Sequence, residues 1–267
     1  MRLLFSMLFL VLFAAGAHAQ EKPLPRTLIA LFDSRDNASP RSIQIHRFLE
    51  MPANHLGYDI HYYDVNEPLP TLGDDVHGIL LWFNSGGEVP APLNYLGWLE
   101  EAMRKGKQIV IVENAGIGEK HRRSDQIMLR YNRVLSYIGI QDGNAWNAVT
   151  YKARVLHQDR AVVGFEREIG PVLPPFGHMH AIPGQATSHL RMAVRTDQEE
   201  KQVDLITTSA KGGFVTDGYA IFYVIEDGVS RISQWFVNPF TFLELALNKG
   251  LMPTPDATTL NGKRIFY

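Results

Sequence analysis

The sequence predicts a mixed α/β fold built on a parallel, doubly wound β-sheet, and three observations support this prediction. Four segments in the first half are apolar almost throughout, as strands buried on both faces should be. Amphipathic helical patterns alternate with these segments, and each begins at a serine or proline typical of helix starts. The second half changes to alternating apolar and polar residues, which predicts an antiparallel extension.

Strands and helices alternate over residues 27–139. The predicted strands are 27–32, 60–65, 78–83 and 108–112. The predicted helices run from Ser39 to about Met51, from Pro92 to Gly106 and from Ser124 to Gly139. This alternation is typical of a parallel sheet with helices on both of its faces.

In the second half, Leu190, Met192 and Val194 alternate with polar residues. Further strands are predicted at 203–207, 219–225 and 231–237, with Glu226-Asp227-Gly228 as a hairpin turn between the last two. Asn238-Pro239 is typical of a helix start, and the helix that it begins should end at Gly250.

The two ends of the chain are predicted to lie outside this domain. Residues 1–19 combine Arg2, an apolar stretch and Ala17-His18-Ala19, which together are typical of a signal peptide cleaved before Gln20. We therefore expect a bacterial periplasmic or secreted protein without membrane attachment after cleavage. Residues 20–250 should form a single α/β domain, and residues 251–267 a linker and the start of a truncated following domain.

Composition excludes several classes of function. With 26 Lys and Arg against 28 Asp and Glu, the chain lacks the basic excess of a general nucleic-acid binder. The absence of cysteine excludes thiol nucleophiles, disulfides and thiolate metal sites. No cofactor is predicted.

Polar residues follow the carboxyl ends of the predicted parallel strands, where open α/β sheets bind their ligands. They could contact a sugar or a cation, but the same residue types also cap helices and turns. We assign no catalytic residue and no metal ligand. The candidate binding residues are Asp33, Asp64, Ser85, Glu113 and Asn114.

Three weaker candidates remain. His178 and His180 could ligate a metal from a predicted loop, but no third ligand is apparent. The basic run 120–123 could meet an acidic group or could simply be solvated. The tryptophans could stack on sugar rings, although Trp82 and Trp98 lie in core patterns.

The element order at 78–112, followed by the tight turn 113–118, resembles the class I glutamine-amidotransferase-like fold, which is flavodoxin-like. Enzymes of that fold carry a cysteine on this turn and a His-Pro pair after a late strand. Here Asn114 and Ala115 occupy the turn, and Asn238 precedes Pro239. The resemblance therefore implies the fold without glutaminase chemistry.

The segments 47–52, 54–57, 63–66, 235–243 and 255–265 carry a second resemblance, which covers most of the chain beyond residue 19. It is similar to the region that precedes the deacetylase domain in exported, Pel-type exopolysaccharide-modifying proteins. This resemblance implies a non-catalytic accessory domain with a polysaccharide, a downstream catalytic domain or an export partner as its partners. Two alternatives stay open: a small periplasmic glycan hydrolase using Asp33, Asp64 and Glu113, and a structural docking module.

Overall fold

The structure is a computed structural model, and it describes residues 24–37, 39–84, 86–147, 153–169, 175–195, 200–226, 229–248, 259–260 and 263–264. The predicted signal peptide, most of the tail, Ser85 and the Asp227-Gly228 turn lie outside the described residues. Within the described ranges, no helix combines the length and the apolar character needed to cross a bilayer.

The described chain contains fourteen strands and five α-helices. A 3₁₀ turn at Pro40–Ser42 and a π-helical turn at Ile45–Leu49 precede the first α-helix. The helices are α1 (Glu50–His55), α2 (Pro92–Arg104), α3 (Glu119–Arg122), α4 (Asp125–Tyr137) and α5 (Pro239–Ala246). The strands are β1 (Thr27–Phe32), β2 (Asp59–Asp64), β3 (Val76–Leu81), β4 (Gln108–Val112), β5 (Ile140–Asn147), β6 (Ala153–Gln158), β7 (Phe176–Ala181), β8 (Ala186–Arg195), β9 (Glu200–Ser209), β10 (Gly212–Val215), β11 (Ile221–Glu226), β12 (Val229–Trp235), β13 (Thr259–Leu260) and β14 (Lys263–Arg264).

One eight-stranded sheet forms the centre of the fold, in the order β2-β1-β3-β4-β10-β9-β8-β6. The first five of these strands are parallel, and β9, β8 and β6 continue the sheet in antiparallel fashion. The parallel part has the flavodoxin-like strand order 2-1-3-4-5, with β10 in the fifth place. The predicted fold class, including its antiparallel extension, is therefore confirmed.

Both faces of the parallel sheet are buried. Successive residues of β1 point to opposite faces, so Leu28 and Ala30 join one core cluster while Ile29 and Leu31 join the other. The first cluster includes apolar residues of α1 and α5, and the second includes those of α2 and α4. This two-sided burial explains why these strands are apolar throughout.

The predicted helix from Ser39 to about Met51 is wrong in its continuity. Ser39 does accept a hydrogen bond from the backbone N–H of Arg41, as its capping role requires. The backbone then becomes extended at Ile43, and the helical path restarts as a π-helical turn that leads into α1. Helices α2 and α4 begin at the predicted positions, and Asn238 caps α5 as predicted. The side-chain oxygen of Asn238 accepts hydrogen bonds from two backbone amides in the first turn of α5.

Strand β10 is absent from the sequence predictions because its first two residues, Gly212 and Gly213, are typical of a turn. Both positions must be glycine because the backbone of β10 lies very close to β4 and α5 there. A Cβ at Gly212 would lie 1.8 Å from the Ile109 carbonyl oxygen, and one at Gly213 would lie 2.6 Å from the Ala246 Cβ. The two glycines thus let β10 enter between β4 and α5.

We expect Gly212→Ala to lower the free energy of unfolding by at least about 3 kcal/mol, because its methyl group would overlap the backbone of β4. Gly106→Ala is the matched control, since Gly106 also has positive φ (70°) but open space around it. That control should cost about 1 kcal/mol. Urea unfolding of both variants measures the difference, and equal losses would contradict the close-approach argument.

Candidate functional site

Asp33, directly after β1, and Asp64, the last residue of the neighbouring β2, share one hydrogen-bond network. Asp33 accepts bonds from the backbone and the guanidinium of Arg35, and Asn66 Nδ2 donates to it at 2.9 Å. Asp64 accepts from the backbone amides of Ser34 and Asn66 at 3.2 and 3.0 Å. The two carboxylates are therefore occupied in holding the loops that follow β1 and β2.

The environment of Asp33 favours its charged form. Its side chain is only 3% exposed. The hydrogen bond from Arg35 is the main cause that lowers the pKa of Asp33 to about 2, against the opposing effect of burial. This carboxylate is a stabilising anion and not a proton donor at neutral pH.

Asn114 is likewise engaged within its own loop. Its Nδ2 donates to the carbonyl oxygens of Asn84 and Gly87 at 2.7 and 2.9 Å, and its Oδ1 accepts from the Gly116 amide at 2.8 Å. Asn114 thereby joins the loops that follow β3 and β4. The Asn114 side chain therefore holds the turn in place. This is the second of the two roles that the sequence left open, in which the polar residue caps a turn and does not contact a ligand.

Glu113, directly after β4, has a different environment. Its backbone φ is 59°, an unusual value for a residue other than glycine, and its N–H donates to the Val215 carbonyl at 2.7 Å. Trp82 Nε1 donates to one carboxyl oxygen at 3.1 Å, and the Ala220 amide lies 3.4 Å from the other. Among the described residues, none forms an ion pair with Glu113.

Glu113 lines a cavity of about 340 Å³. Strands β4 and β10 reach it with their carboxyl ends, and β5, β7, α3 and α4 supply the remaining walls. The sequence places Glu113 at this edge of the sheet, but the other cavity residues were not among its candidate binding residues. They are Arg122, Tyr131, Asp142, Asn144, Ala145, Trp146, Gly177, Met179, Phe214, Thr216 and Asp217.

The acidic side chains of the cavity differ in whether a basic side chain pairs with them. Asp142 pairs with Arg122 at 3.0 Å and accepts the Asn144 amide, so this carboxylate is neutralised. Arg122 belongs to the basic run 120–123, which thus does meet an acidic group. Burial, together with the charge of Asp217, raises the pKa of Glu113 to about 7. Burial also raises the pKa of Asp217.

Trp146 is the exposed aromatic residue of the cavity wall. It lies on β5 and is 57% exposed, whereas Trp82 is buried in the core as predicted. The sequence could not single out Trp146, because the surrounding segment has no clear periodicity. An exposed indole beside buried polar groups is typical of ligand pockets.

The histidines occupy other environments. His178 and His180 lie on strand β7, so the predicted loop at this position is wrong. Within the described ranges, no group of three or more metal-ligating side chains comes together. A chain of side chains that the sequence did not indicate links Asp159, His189 and Thr208 at 2.9 and 2.7 Å. His189 and Thr208 are buried and none of the three lines the cavity, so this chain holds the antiparallel strands together.

The chain is similar to a solved structure of low sequence identity. It is a glutamine amidotransferase from Methylobacillus flagellatus, with 13% sequence identity and a TM-score of 0.35. The similarity covers 70% of this chain and 66% of that chain. No family model and no curated protein matches the sequence.

We expect Asp33→Asn to lower the free energy of unfolding at pH 7 by about 1 to 2 kcal/mol. The loss stays in this range because Arg35 is half exposed, and solvent weakens its interaction with Asp33. The folded-state pKa of Asp33 is depressed to about 2, so its contribution is present above pH 4 and disappears as the pH falls towards 2. Denaturant unfolding of both proteins at pH 7 and pH 2.5 measures this. A difference that persists unchanged at pH 2.5 would contradict it.

Glu113 should have the opposite linkage. Because its folded-state pKa of about 7 lies above the ordinary value of 4.5, the folded protein holds the extra proton between these pH values. Its contribution should therefore be lost as the pH rises from about 5 to 8, by up to about 3 kcal/mol. Denaturant unfolding of wild type and Glu113→Gln at several pH values measures this contribution of Glu113 to stability. If the free energies of unfolding of the two proteins change in parallel with pH, the expected contribution is absent.

Proposed function

We propose that this chain binds a segment of polysaccharide in the cavity beside Glu113, as an accessory domain of an exported polysaccharide-processing protein. The observation that carries the proposal is the exposed indole of Trp146 on the wall of a cavity that also presents carboxyl and hydroxyl groups.

The two kinds of cavity surface suit the two kinds of surface on a sugar. Pyranose rings have apolar C–H faces, which pack on an indole ring. Their hydroxyl groups are donors and acceptors at the ring edge, and carboxylates such as Glu113 and Asp217 accept strong hydrogen bonds from them. The Asp142–Arg122 ion pair adds polar groups without a net charge.

The size and place of the cavity agree with this assignment. A volume of about 340 Å³ lies at the lower end of the range for small-molecule sites. Its position at the carboxyl ends of β4 and β10 is where open α/β sheets bind ligands. The Asp33–Asp64 network lies outside this cavity, so these two carboxylates are not part of the proposed binding site.

We expect Trp146→Ala to weaken binding of N-acetylglucosamine hexamer at least about tenfold, which corresponds to about 1.4 kcal/mol. The melting temperature should change little, because the indole is 57% exposed. Isothermal titration calorimetry and thermal melts measure the two effects.

Leu129→Ala is the matched control, since Leu129 is a similarly exposed apolar residue on α4 that does not line the cavity. It should leave the affinity unchanged. Equal affinities for wild type and Trp146→Ala would remove the cavity from consideration as the glycan site.

A further inference from the structure

Glu113 and Asp217 bring two carboxyl groups to the ends of adjacent strands. β4 and β10 are parallel, Val112 pairs with Val215, and the Glu113 amide donates to the Val215 carbonyl. Both residues line the cavity. Within the described part of the chain, neither forms an ion pair, in contrast to Asp33 and Asp142.

The same cavity is lined by two further polar side chains, each with a hydroxyl group. Thr216 is 3% exposed and Tyr131 is 4% exposed, and both line the cavity. Neither hydroxyl takes part in any hydrogen bond of the described residues. A ligand in the cavity can therefore supply a hydrogen-bond partner for these two hydroxyl groups.

We infer that Glu113 and Asp217 are an acid and base pair that hydrolyses a glycosidic bond of the sugar held in this cavity. The inference rests on the proposed function, because it uses the same site and the same class of ligand. It adds turnover to binding and assigns the two carboxyl groups their roles.

The roles follow from the chemistry of the bond. The protonated carboxyl of Glu113 gives its proton to the glycosidic oxygen, and the bond from the anomeric carbon to that oxygen breaks with its electron pair on the oxygen. The carboxylate of Asp217 takes a proton from a water molecule, whose oxygen forms the new bond to the anomeric carbon. One water molecule is consumed, and the proton on Asp217 returns to solvent as Glu113 is reprotonated.

The environments of the two groups favour this assignment over its reverse. Glu113 is the more deeply buried, and burial together with the charge of Asp217 raises its pKa to about 7, so a large fraction is protonated at neutral pH. Trp82 and the Ala220 amide fix the orientation of the Glu113 carboxyl group. Asp142 is not available for either role because Arg122 neutralises it.

The test incubates the purified full chain with N-acetylglucosamine hexamer and with glucosamine hexamer in ¹⁸O-labelled water, at pH values from 5 to 8. Mass spectrometry should detect shorter oligomers with one ¹⁸O atom at each new reducing end. Glu113→Gln and Asp217→Asn should each lower the rate of cleavage by at least about 100-fold. Asp59→Asn, which removes an exposed carboxylate at the start of β2, should leave the rate unchanged.

The outcomes separate the two proposals. Binding of a hexamer by calorimetry without cleavage by the wild-type chain overturns the inference and leaves the proposed function in place. Neither binding nor cleavage overturns both. Cleavage that survives in both folded carboxyl variants, verified by their melting temperatures, also overturns the inference.

Discussion

The parallel pairing of β10 with β4 is the contact on which the rest of the structure depends. It requires two consecutive glycines, because side chains at Gly212 and Gly213 would overlap the backbone of β4 and the side chain of Ala246. The pairing joins the antiparallel strands β9, β8 and β6 to the parallel half of the sheet. It also brings Thr216 and Asp217 to the side of Glu113, so the cavity exists only because β10 lies there.

Carboxylates at one edge of this sheet have different chemistry because their neighbours differ. Asp33 has a guanidinium and an amide as partners, and its pKa is lowered to about 2. Glu113 has an indole N–H, backbone amides and a second carboxyl group, and its pKa is raised to about 7. A stabilising anion and a group that exchanges protons near neutrality thus follow strands of the same sheet. Proximity to the carboxyl ends of strands is therefore insufficient to identify a functional carboxylate.

Strands and helices can be predicted from the sequence where burial of their faces requires a regular pattern of apolar residues. Strands β1, β3 and β4 are apolar because both of their faces are covered, and α2, α4 and α5 have apolar stripes that match their buried sides. Prediction from sequence fails where no regular pattern of apolar residues marks the path of the backbone. Gly212 and Gly213 are typical of a turn yet begin a central strand, and the backbone of the predicted first helix becomes extended at Ile43.

By itself, the sequence determined the fold class, the order of the parallel elements and the position of Glu113 at the end of β4, because these follow from local periodicity and chain order. Only the tertiary structure decided which residues surround Glu113. Trp82, Trp146 and Asp217 lie 31, 33 and 104 positions away along the chain, counting from their residue numbers. Their approach depends on strand pairing and on burial, which no local pattern encodes, and burial in their company is what changes the proton affinity of the carboxyl group.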